Sequence, residues 1–147
     1  MIYLTDTNVL LGAVYRADAR YSSVQVAVHK LWASGHELQT TFQNFAEFWN
    51  VSTRPANRNG FGNTSAQTDT SLRYIESLFP LLPDSPDVYP VWRQLVAKYK
   101  VLGVQVHDAR LVAAMIAHNV KHILTFNVTD FQRYTDEGIE VVNPATV

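Results

Sequence analysis

Apolar and polar positions along the chain alternate between two periods. Short apolar runs bounded by polar residues occur at "MIYLT", "HELQTT", "KHILTF" and "IEVVNP", and each predicts a buried strand. Between them the spacing turns helical. "NVLLGAVYR" predicts a helix directly after the first strand. Over residues 20 to 35, Val24, Ala27, Val28, Leu31 and Trp32 recur on one helical face, and Gly35 supplies a stop. "FQNFAEFWNV" predicts a helix with Thr41 as its cap and Pro55 at its end. A helix from about Ser65 to Phe79 closes at Pro80, and "DVYPVWRQLVAKYKV" forms another with Pro90 in its first turn, where a missing N–H costs nothing. "HDARLVAAMIAHN" is an apolar helix ending near Asn119, and "VTDFQRY" a short helical turn. "RPANRNGFGNTS" is the one long loop. Strands alternating with helices imply an α/β fold with a parallel sheet covered on both faces.

A chain of 147 residues suits a single domain spanning 1–147 with a real core. The formal net charge of -1 gives no overall attraction to nucleic acid, although a local basic patch suffices for binding. The absence of cysteine excludes disulfides and thiolate metal sites and fits a cytoplasmic setting. No apolar stretch is long enough to span a bilayer, and the N-terminus lacks the basic head and apolar centre of a signal peptide. No membrane association is therefore expected.

Ligands of parallel sheets sit beyond the carboxyl ends of the strands. Asp6 falls at the end of the first strand, and Asn127 and Asp130 fall just after "KHILTF". Glu47 lies about two turns into the helix after the second strand, and Asp108 at the start of another helix. Phe42, Phe45, Ala46, Phe48, Trp49 and Val51 surround Glu47 in the sequence, which predicts a partly buried carboxylate needing a compensating partner. Taken singly, Asp6, Asp108 and Asp130 are explained as helix caps, and Glu47 as the partner of an arginine. Their joint placement at strand ends and helix starts points further. Carboxylates packed together repel and raise one another's pKa, a penalty that a divalent cation reverses. An oxygen-only set, with no cysteine and no histidine pair, favours Mg²⁺ or Mn²⁺ over zinc. A cation of that kind presents a metal-bound water as nucleophile and neutralises a phosphoryl group, so phosphodiester hydrolysis is a natural chemistry.

The stretches "LTDTNVLL", "FAEFWNVSTRP", "VHDARLVAAMI" and "LTFNVTDF", in this order and followed by "VVNP", resemble the PIN-domain nucleases. Within that family the chain is similar to the VapC-type toxins of bacterial type II toxin–antitoxin modules. The resemblance implies a three-layer α/β/α sandwich with a mostly parallel sheet and a metal-dependent endoribonuclease. It implies Asp6, Glu47, Asp108 and Asp130 as the catalytic, metal-binding acids. Some members carry the fourth acid three residues earlier, where this chain has Asn127, so the fourth ligand is either Asp130 or a water held by Asn127. Asn8 and Thr125 match polar positions that orient the acids. The resemblance also implies an RNA substrate, a homodimer, and a cognate antitoxin that covers the site.

Arg54, Arg58 and Arg16, with Arg20 and Arg110, are candidate contacts to RNA phosphates, and the arginine- and glycine-rich loop is the candidate substrate-facing segment. Each of these arginines is also explained as an ordinary solvated side chain. Two other readings compete. A haloacid dehalogenase-like phosphatase uses an aspartate nucleophile with a second acid two residues on, where this chain has Asn8. A catalytically weak PIN-fold module binds RNA or a partner without cutting.

Overall fold

The structure is a computed structural model that describes Met1–Val147. Four short strands form one sheet: β1 (Ile2–Thr5), β2 (Glu37–Gln39), β3 (His122–Leu124) and β4 (Glu140–Val142). All neighbours are parallel, in the order β2-β1-β3-β4. The register sets Tyr3 beside Leu38 and His122, and Leu4 beside Gln39 and Ile123. Side chains alternate across a strand, so β1 feeds both faces. Tyr3, Leu38 and Leu124 join one buried cluster, and Leu4 and Ile123 the other.

Helices cover both faces. On the Tyr3 face lie α1 (Thr7–Val14), α2 (Tyr21–Ala33), α3 (Phe42–Thr53) and α4 (Ser65–Leu78). They bury Val9, Leu10, Val24, Val28, Phe45, Phe48 and Ile75. On the Leu4 face lie α5 (Val88–Lys98), α6 (Val106–Ala117) and the single turn α7 (Val128–Phe131). They bury Leu95, Leu111, Val112, Met115 and Phe131, joined by Tyr134. Each fully buried side chain of this size contributes about 1.5–3 kcal/mol, so the two clusters clamp the sheet from both sides. The result is the three-layer α/β/α sandwich that the alternation of periods implies. No helix is long and apolar enough to cross a membrane.

Local chemistry fixes the elements that carry the site. Thr41 and Asn44 form a reciprocal capping box at the start of α3. Gly35 adopts φ +80° after α2, where only a glycine sits without strain. Pro90 stands in the first turn of α5, as expected. Two boundaries differ from the sequence reading. A 3₁₀ turn, Gly103–Gln105, runs into α6, which begins at Val106. Asp108 thus lies inside the first turn and is not the cap, which falls on Gln105. The cap of α7 falls on Asn127, so Asp130 is likewise inside its helix. The capping explanation survives only for Asp6, whose side chain accepts from the Thr7 N–H at the start of α1.

Candidate active site

Asp6 follows β1 directly and stands at the carboxyl edge of the sheet. Its own N–H donates to the Leu124 carbonyl at the end of β3, 3.1 Å away. Its carboxylate is buried and held from four sides. Oδ1 accepts from the Thr7 N–H at 2.8 Å and from Asn44 Nδ2 at 3.3 Å. Oδ2 accepts from Thr125 Oγ1 at 2.7 Å and from Asn8 Nδ2 at 3.2 Å. The donors come from α1, α3 and the end of β3, so Asp6 ties together three elements that are remote in the chain. Burial pushes its pKa up, and Glu47 adds to this, while the bonds from Thr125, Thr7 and Asn8 pull it down; the net direction is upward. Asn8 also accepts the Phe126 N–H through Oδ1 at 3.2 Å, which fixes its amide toward Asp6.

Asn44 is a residue that the sequence reading missed. It is fully buried, closes the α3 capping box with Thr41, and spends its Nδ2 on Asp6 and on Thr7 Oγ1. The available signal was a T-x-x-N box starting the helix after β2, at the same sheet edge as Asp6.

Glu47 and Asp108 join Asp6 in lining one cleft of about 260 Å³, with Asn8 and Asn127 among the other lining residues. Asp108 in α6 is half-buried and its carboxyl is pushed up to about 7, first by burial, then by Asp6, Asp130 and Glu47, with Arg133 opposing. Asp130 lies close enough to act on Asp108 but does not line the cleft, whereas Asn127 does. Glu47 is exposed, contrary to the burial its apolar neighbours predict. Phe45 and Phe48 turn into the core, while Glu47 shares the outer side of α3 with the exposed Ala46 and Asn50. Adjacency in sequence is not adjacency in space on a helix.

Glu47 pairs with no arginine, and neither do Asp6, Asp108 and Asp130: the ion pairs are Arg20–Asp18, Arg73–Asp69, Lys98–Glu137 and His122–Glu140. A hard cation matches this all-oxygen set, and Asp108, raised first by its burial, is raised further by the acids that face it. No three Asp, Glu or His side chains stand near enough to hold one ion between them as placed. Glu47 and Asp130 are exposed, so their side chains have room to turn toward the cleft.

Two arginines, Arg20 and Arg54, also line the cleft. Arg54 closes α3, and its Nη2 donates to the Asn59 carbonyl at 3.1 Å. Its Nε is buried with no partner. The loop from Pro55 folds over it because of Gly60: a Cβ there would lie 1.9 Å from the Arg54 carbonyl oxygen. Arg16 and Arg58 are exposed and stand outside the cleft, and Arg110 lines a separate groove beside α5.

The sequence matches the PIN domain over residues 3–137. No curated protein sequence matches the chain. Among solved structures it is similar to VapBC-1 from nontypeable Haemophilus influenzae, at 17% identity and TM-score 0.69, covering 98% of each chain. It is similar to FitAcB from Neisseria gonorrhoeae, at 18% identity and TM-score 0.71, covering 100% of each. Mycobacterium tuberculosis VapC20, a sarcin-ricin loop cleaving toxin, matches at 17% identity and TM-score 0.65, over 95% of this chain and 97% of that one. At such identities the structural likeness speaks for the fold, and the match over residues 3–137 speaks for the family: this chain belongs to the PIN-domain family.

Proposed function

We propose that the protein is a Mg²⁺- or Mn²⁺-dependent endoribonuclease that hydrolyses RNA phosphodiester bonds, the toxin of a toxin–antitoxin pair. One observation carries the reading. Four carboxylates, none of them ion-paired, gather around one edge of a parallel sheet, and burial together with the other three raises Asp108. In this reading Asp6, Glu47 and Asp108 hold the cation, with Asp130, or Asn127 through a water, as the fourth contributor. A bound dication supplies charge neutralisation at the phosphoryl group and activation of water. Asp6 supplies a fixed point, because its hydrogen bonds allow it one orientation. Asn8 and Thr125 hold that orientation, and Asn127 stands at the rim. Arg54 faces the RNA backbone from the end of α3, with the exposed Arg58 and Arg16 as outlying contacts.

Residues 1–147 act as one nuclease domain in this proposal, paired as a homodimer and working in the cytoplasm. A cognate antitoxin restrains it by covering the cleft. The family and the sarcin-ricin loop cleaving neighbour support the reaction class. The VapBC and FitAB neighbours support a paired partner.

The test is cleavage of total RNA with Mg²⁺ or Mn²⁺ against EDTA, together with thermal unfolding as Mn²⁺ is added. EDTA-sensitive cleavage is expected, with the melting temperature rising as the cation binds the folded form. A protein that neither cuts RNA nor gains stability from Mn²⁺ overturns the proposal. A catalytically weak PIN-fold module that binds RNA or a partner would then take its place, a reading favoured by the spread of the acid side chains.

A further inference from the structure

An acid-lined cleft repels the phosphates of its own substrate. Arg20 and Arg54 are the only cationic side chains that line it. Arg20 is held with unusual firmness for a residue whose side chain does nothing for its helix: it occupies the N-cap position of α2 and makes no capping bond. Asp18 takes Arg20 Nε at 2.9 Å and Nη2 at 2.7 Å, and also accepts the Arg20 N–H at 2.8 Å. Asp18 is nearly buried, with a side chain 5% exposed, so the brace is not a loose surface pair. The guanidinium carbon lies 5.8 Å from the centre of the Phe126 ring, next to Thr125 and Asn127. Arg20 Nη1 keeps both its hydrogens, since it makes no hydrogen bond within the protein. Gly12 allows this placement. A Cβ on Gly12 would come within 2.6 Å of Val24 Cγ2 and 3.5 Å of Arg20 Cβ, so a bare backbone in α1 lets the start of α2 reach the cleft.

We propose that Arg20, braced by Asp18 and Phe126 on the rim of the Asp6 cleft, is a positioning residue that grips an RNA phosphate beside the acids. The inference rests on the nuclease reading above and adds a substrate-orienting device to it. A guanidinium whose rotamer is already fixed loses little freedom on contact, and the two free donors of its Nη1 match phosphate oxygens. Arg54, tied to the loop after α3 through Asn59, faces the same cleft. A phosphate entering between them meets directed donors on two sides.

The experiment uses the full chain and a fluorescent oligoribonucleotide carrying the cut mapped on total bacterial RNA. Arg20→Ala is expected to raise KM about tenfold, to leave kcat within about twofold, and to lower the salt slope of RNA binding by roughly one. Arg20→Lys keeps the charge but loses the fork, and should recover less than half of the loss. Asp18→Asn should raise KM by an intermediate factor. Arg73→Ala, which removes an exposed cation of α4, should change nothing. Mn²⁺ binding, followed by calorimetry, should be unaltered in every variant. An unchanged KM and salt slope in Arg20→Ala overturns the inference. So does a fall in kcat that tracks weakened Mn²⁺ binding, which would place Arg20 on the acids instead. If Arg20→Ala does not fold, Arg20→Lys carries the same decision. If the unmutated protein cuts no RNA, the nuclease reading fails by itself, and binding alone decides: equal RNA affinity with and without Arg20 overturns its role.

Discussion

The acids of the site are held in two different ways. On the β1 side, Asp6 is buried and takes hydrogen bonds from Thr7, Asn8, Asn44 and Thr125. Away from β1, on α3 and α7, the side chains of Glu47 and Asp130 are exposed, and neither carboxylate accepts a hydrogen bond within the protein. One carboxylate is therefore part of the framework, and the others are appended to it. Removing the first should damage structure and chemistry together, while removing the others should damage chemistry alone.

The sharpest way to break this contrast is Asp6→Asn. Cleavage should fall by about three orders of magnitude, on the scale of losing a principal contact to the reacting centre. Stability should also drop by about 1–3 kcal/mol, because the new amide cannot accept four donors. Rates and melting curves matching the unmutated protein would dissolve the distinction. Asn44→Ala comes next. It touches no substrate, yet should cost about 2 kcal/mol in denaturant unfolding, since a capping box and two buried bonds go together. A loss under about 0.5 kcal/mol would show that Asp6 does not depend on α3. Glu47→Gln should lower cleavage by about ten- to a hundredfold while unfolding stays within about 0.5 kcal/mol. An equal loss in both would mean that Glu47 belongs to the framework after all.

The smallest effect concerns Asp108, whose carboxyl titrates at about 7 against an ordinary value of 3.8. Between those values the folded form binds the proton that the unfolded form has lost. Stability of the metal-free protein therefore falls as pH rises through that window, and the penalty is complete above it. In EDTA at about pH 8, Asp108→Asn should be the more stable by about 1 kcal/mol, a figure kept low because solvent reaches the side chain. Near pH 4 the two proteins should unfold alike. A difference that persists in acid, or that has the opposite sign, would mean that Asp108 is not pressed by its neighbours.

The same division explains what the sequence discloses. Strand ends are legible because the apolar runs stop abruptly, so spacing alone puts Asp6 and Asn127 at one sheet edge, whereas Asn8 and Thr125 come from the family resemblance. Helix faces are less legible. Phe45 and Phe48 flank Glu47 closely enough to suggest burial, but the helical turn sends them inward and Glu47 outward. Asp108 resembled a cap because the 3₁₀ turn Gly103–Gln105, which starts the helix early, carries no apolar period of its own. Asn44 carries a local sign in its T-x-x-N box and Arg20 one in its neighbour Asp18, but the bond from Asn44 to Asp6 and the approach of Arg20 to Phe126 join distant segments that no local pattern encodes.

The central position of β1 has a consequence for biosynthesis. Asp6 and Thr125 are 119 residues apart, and β3 must pair with β1 before Asp6 gains that bond. A ribosome thus releases the first acid long before the strand that locks it, so a prematurely terminated product lacking β3 carries the aspartate without its orientation. The oriented carboxylate is therefore among the last features of the fold that synthesis can complete.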